Sequence, residues 1–175
     1  MLRRSFALLL AASVISASSG ASLAASTELF NKTVTMLWST SGIATAEDGA
    51  ARSYNNINTR TVYISSAGRT FLRMNLRGGR SERSGERGPE DASAKGSVRI
   101  EGNRLVGTEA FMSGARQYIA TFDSSFTSCT LQVIDAKSGG AAIKRKGPDG
   151  RSYTVTASTG SPSCSVQNGN AFGAH

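Results

Sequence analysis

The chain has 175 residues and a formal charge of +8, with 39% hydrophobic and 7% aromatic residues. That length suits one domain with a core of its own. A single histidine, His175 on a Gly-Ala tail, and only two cysteines leave no side-chain set for a metal site or a histidine-based catalytic triad.

The first 24 residues read as an export signal. Arg3 and Arg4 form a basic start, an apolar run from Phe6 to Ile15 is broken only by Ser13, and small residues dominate from Ser16 to Ala25. Ser22 and Ala24 have the small side chains an export peptidase needs, which places cleavage after Ala24. The run is about half the ~20 apolar residues that a membrane-spanning helix requires. Arg3-Arg4-Ser5-Phe6 has the outline of a twin-arginine signal, although the apolar stretch behind it suits the general route better. No cysteine lies near the cleavage zone, and no later segment is long and apolar enough to span a bilayer, so a soluble mature chain 25–175 is expected. Loss of Arg3 and Arg4 lowers the formal charge to 8 − 2 = +6, which favours anionic partners such as envelope polymers and lipid headgroups.

Beyond the leader the apolar period is two, the signature of strands. Val34, Met36 and Trp38 share one face of a first strand, and Val62 and Ile64 one face of a second. Ser66-Ala67-Gly68 forms a turn into a third strand, Arg69 to Leu76. There Thr70, Leu72, Met74 and Leu76 oppose Arg69, Phe71, Arg73 and Asn75. Val98 and Ile100, the Gly102-Asn103 turn and Arg104 to Phe111 make a hairpin; Arg116 to Phe122 and Cys129 to Val133 follow. Gly147-Pro148-Asp149-Gly150 turns into Tyr153 to Ala157, and Cys164 and Val166 mark a short last strand. The stretch 40–59 breaks the pattern and reads as a turn of helix or a lid, and 78–95 as a mobile polar loop. Sequential hairpins of this kind predict an all-β fold: an up-and-down β-barrel of about eight strands first, a two-sheet β-sandwich as the alternative.

Cys129 and Cys164 both lie on apolar strand faces, and in an oxidising compartment an even pair is expected to form a disulfide. The carboxylates Glu101, Glu109, Asp123 and Asp135 lie near strand ends or turns, where such groups are ordinarily solvated, and no phosphate-cradling loop is present. No enzyme activity and no cofactor are expected. Arg69, Arg73 and Arg77 fall on one side of the third strand at ~13 Å intervals, too far apart for one phosphate but suited to a repeating polyanion. Glu82 and Glu86 are placed to neutralise part of that row, and Lys144-Arg145-Lys146 adds a second basic cluster at a hairpin tip. Trp38, Tyr118 and Phe122 are candidates to line an interior cavity, or simply core residues.

The segments Tyr63 to Arg69, Phe122-Asp123 with Phe126 and Ser128-Cys129, and Ser163 to Asn170 give the chain a likeness. It resembles small exported proteins of the rhizobial, alphaproteobacterial kind. The resemblance covers the mature half around the cysteines; it implies a periplasmic address and paired cysteines and carries no activity. The functional expectation is a non-enzymatic periplasmic or secreted β-domain that binds anionic envelope components through the arginine strand. Nucleic acid is not an expected partner. Alternatives are a barrel that carries an apolar ligand, and an inhibitor of an envelope hydrolase with the hairpin tip as its plug.

Overall fold

A computed structural model describes residues 26–78, 85–111, 114–135, 143–146 and 150–173; the segment 1–24 expected to be an export signal, most of the Gly147–Gly150 turn, and His175 lie outside the described residues. After a 3-10 turn at Thr27–Leu29, strands β1 (Lys32–Ala46), β2 (Ala51–Ile64), β3 (Thr70–Gly78) and β4 (Gly85–Asp91) run as an antiparallel meander. A second meander follows in β5 (Val98–Glu101), β6 (Arg104–Phe111), β7 (Gly114–Phe122) and β8 (Cys129–Asp135). Strands β9 (Ile143–Lys146) and β10 (Ser152–Asn168) then return to the first sheet, where β10 pairs with the free side of β1. The result is a six-stranded sheet ordered β4-β3-β2-β1-β10-β9 and a four-stranded sheet ordered β5-β6-β7-β8.

The period-two pattern dictates how the sheets meet. Val34, Met36 and Trp38 of β1, Val62 and Ile64 of β2 and Leu72 of β3 form one core with Val98, Leu105, Tyr118, Ala120 and Phe122 of the second sheet. Burial alternates along β1, where Trp38 is 0% exposed and Leu37 38%. Two inner faces packed in this way make a sandwich about 10 Å thick.

The barrel expectation therefore gives way to the sandwich alternative. Neither sheet closes on itself among the described residues, because the meander is cut twice. The turn between β4 and β5 tucks Ala92 (1% exposed) into the core and carries the chain across to the other layer. The chain crosses back between β8 and β9, and β10 fills the place beside β1 that a closed meander would give to its last strand.

Three segments are also corrected. The stretch 40–59 is neither helix nor lid but the distal part of the β1–β2 hairpin, closed where the Ala46 amide donates to Ala50 O at 2.9 Å. Its inner-face residues are small or polar, among them Thr40, Gly42, Ala44, Asn56 and Asn58, so the apolar alternation fades while the pairing continues. Within 78–95, residues 85–91 form edge strand β4, whose charges suit an uncovered edge. The separate strands read at Tyr153–Ala157 and Cys164–Val166 are one 17-residue strand, bent where Trp38 faces both Ser161 and Pro162 in a β-bulge.

The expected disulfide is present. Cys129 opens β8 and Cys164 lies on β10, with Cα atoms 5.5 Å apart, so the bond clips one sheet to the other beside Met36 and Phe122. Cys129→Ser with Cys164→Ser is expected to lower unfolding free energy by about 3–4 kcal/mol, measured by urea denaturation.

The β7–β8 turn is held by one carboxylate. Asp123 accepts hydrogen bonds from the Ser125 hydroxyl at 2.6 Å and the Ser128 and Thr127 amides at 3.1 and 2.9 Å. The hydroxyl first and the amides after it hold its pKa at about 2, against 3.8 ordinarily. A carboxyl depressed in the folded state contributes stability above its unfolded pKa and loses it as pH falls through the folded one. The thermal midpoint should therefore decline between about pH 5 and pH 2, and Asp123→Asn should flatten that decline.

Candidate functional site

The outer face of the six-stranded sheet carries the arginine row. Phe71, Arg73, Asn75 and Arg77 stand in ladder register with Tyr63, Thr61, Thr59 and Ile57 of β2, which in turn face Thr33, Thr35, Leu37 and Ser39 of β1. Tyr63 and Phe71 stack at 6.3 Å. Ile57 and Leu37 are 46% and 38% exposed on this face, diagonal neighbours among threonine and serine hydroxyls.

Each arginine meets a different environment. Arg69, just ahead of β3, forms an ion pair with Asp91 and lies 5.8 Å from the centre of the Phe71 ring. Arg73 pairs with Glu86 at 3.1 Å, and its guanidinium sits 4.6 Å over the Phe172 ring. Phe172 reaches it because the tail after β10 folds back: Thr33 Oγ1 donates to Gly169 O at 2.6 Å and accepts from the Ala171 amide at 3.1 Å. Arg77 is exposed and has no carboxylate partner among the described residues. The neutralisation expected from Glu86 thus falls on Arg73, while Glu82 lies outside the described residues.

The second basic cluster is elsewhere. Lys144 and Lys146 are exposed on β9, at the opposite edge of the sheet from β3. Strands β2, β1 and β10 lie between, about 19 Å at ~4.8 Å per strand. Lys144, Arg145 and Lys146 pair in register with Thr154, Tyr153 and Ser152 of β10, which face the β1 end near Ala46, whereas Arg73 lies level with Thr35. The structure does not bring the two clusters together.

Trp38, Tyr118 and Phe122 all lie between the sheets, but not at one place. Phe122 is at the disulfide end, 6.1 Å from Phe126. Trp38 and Tyr118 stack at 5.9 Å toward the other end. Around them is a polar group that strand patterning left unassigned. Arg60 (7% exposed) makes a two-pronged ion pair across the sheets to Glu109, with Nη2 3.0 Å from Oε2. Its guanidinium lies 5.1 Å from the centre of the Trp38 ring, and that of Arg116 lies 5.6 Å from it. Asn58 (4% exposed) donates to Thr40 Oγ1 at 3.0 Å. Burial, then the Glu109 carboxylate, pushes the Tyr118 phenol well above its ordinary range, with Arg60 opposing. A signal for this cluster exists in the sequence: Asn58 and Arg60 continue the inward-facing series of Val62 and Ile64.

The arrangement offers two kinds of chemistry: an outer face of hydroxyls, exposed aliphatics and the Arg77 guanidinium, which has no carboxylate partner among the described residues, and a buried polar end of the core. No family model matches the chain, and neither a curated protein nor a solved structure matches it.

Proposed function

We propose that this chain is an exported, non-enzymatic binding module that takes acidic glycans of the cell envelope on the outer face of its six-stranded sheet. The leader-like first 24 residues, the intersheet disulfide and the resemblance to small exported alphaproteobacterial proteins support the address. The observation that carries the reading is Arg77, exposed beside Ile57 in the ladder, with Leu37, Thr59 and Ser39 on the same face around them. A sugar ring rests on such aliphatic ground, and its carboxylate meets a guanidinium that no described carboxylate occupies.

The three arginines should then be unequal. With polygalacturonate as the probe, Arg77→Gln is expected to weaken binding about fivefold, and Arg69→Gln or Arg73→Gln less than twofold, because Asp91 and Glu86 already hold those two. Binding should weaken as salt rises, since the contacts are exposed. Full affinity in Arg77→Gln, or indifference to salt, would overturn the reading.

A further inference from the structure

The buried polar end of the core has two loose ends. Trp38 Nε1 and the Tyr118 hydroxyl are both fully buried, and neither has a hydrogen-bond partner among the described residues. Leaving two such groups unmade costs free energy, and native interiors seldom leave buried polar groups unpaired without a bound water, ion or ligand to satisfy them. The indole N–H can only donate, so whatever satisfies it must be an acceptor; a cation or an ammonium group cannot do so. A phenol O–H can donate to the same partner.

The strands beyond this point are of unequal length. From Trp38, β1 runs on to Ala46, and β2 begins at Ala51, well ahead of Asn58, whereas β6 ends at Phe111, two residues past Glu109. Among the described residues, β1 and β2 run on past the end of β6. Gly42, Ala44, Tyr54 and Asn56 on the inner face of that stretch are only half-buried. Tyr54 lies across Gly42 to hydrogen-bond Thr156 O at 3.3 Å, on the same strand face as Thr40, Asn58 and Trp38.

We propose that Trp38 Nε1 and the Tyr118 hydroxyl form the floor of a small-ligand site, walled by the Arg60–Glu109 pair and Arg116, that takes a molecule presenting a carbonyl or carboxylate oxygen. The guanidiniums of Arg60 and Arg116 against the indole favour an electron-rich partner. The Arg60–Glu109 pair is satisfied within itself, so it shapes the wall and leaves the two orphan donors to do the binding. This site is separate from the outer face and stands or falls without it.

Trp38 is the only tryptophan, so a 15N-labelled sample shows a single indole N–H resonance that reports on the site directly. The full chain is titrated with acetate and, separately, with acetamide. The expected result is a saturable shift of the indole resonance to lower field with one or both, acetate alone assigning a carboxylate and both together a carbonyl oxygen. Tyr118→Phe keeps the ring and removes one donor, and is expected to weaken the binding about tenfold. No saturable shift with either probe would mean that the two groups are met by water alone and would overturn the proposal. So would equal affinity in Tyr118→Phe.

Discussion

Gly107→Ala is expected to destabilise the protein by at least about 3 kcal/mol, beyond the usual cost of overfilling a core. Gly107 faces Tyr118 in the β6–β7 ladder, and the Tyr118 ring lies flat across it, so that a Cβ at Gly107 would overlap ring atoms Cε2 and Cζ. The ring has nowhere to retreat: it is fully buried and stacks on Trp38, which is itself fully buried. An alanine in a strand is ordinarily preferred to glycine by ~0.5–1 kcal/mol, so the expected sign is the reverse of the intrinsic preference. Tyr118→Ala alone should cost about 3–5 kcal/mol through the cavity it leaves. If the overlap is the cause, the double variant should cost clearly less than the sum of the two. Urea denaturation of the four proteins measures this, and strict additivity would place the cause elsewhere.

Glu109→Ala is expected to cost about 3–5 kcal/mol, because it strands the Arg60 guanidinium between the sheets. The two side chains are 8% and 16% exposed, so water restores little of what the carboxylate supplied. Arg60 would keep its bond from Nη1 to Thr59 O at 2.9 Å but lose both of its contacts to Glu109. Removing both charges is a different matter. Arg60→Met with Glu109→Leu leaves no orphan and is expected to fall within about 1.5 kcal/mol of the parent, since a buried pair largely offsets its own desolvation. A double variant as unstable as Glu109→Ala would show that the pair contributes net stability.

Much of the fold was legible because core strands announce themselves by alternation. Val34, Met36 and Trp38, or Thr70 and Leu72, are inward by period alone, and the same period put Cys129 and Cys164 on faces that could meet. The distal β1–β2 hairpin was not legible, since its inward residues are small or polar and its pairing rests on backbone hydrogen bonds that no side-chain pattern reports. Closure against stacking depends on which strands pair across the β4–β5 and β8–β9 connections, and each strand's own sequence is compatible with either.

The candidate sites divide in the same way. Arg73 and Arg77 share the outer face of β3 and Arg69 lies just ahead of the strand, but what sets Arg69 and Arg73 apart from Arg77 is Asp91, Glu86 and Phe172, which lie elsewhere in the chain and come close through tertiary structure. Glu109 read as a solvated strand-end carboxylate; its role emerges only once the sheets stack and Arg60 reaches across. Trp38 and Tyr118 were singled out together as large aromatics and do meet, whereas Phe122 packs at the disulfide end.

The claim that the outer sheet face is the binding surface is tested most directly by mapping side-chain resonances while acidic oligogalacturonates are titrated into the full chain. Perturbation should centre on Arg77, Ile57, Leu37 and Thr59, with the interior of the four-stranded sheet unmoved. Shifts confined to the four-stranded sheet or to the β9–β10 hairpin, or no shifts at all, would contradict it.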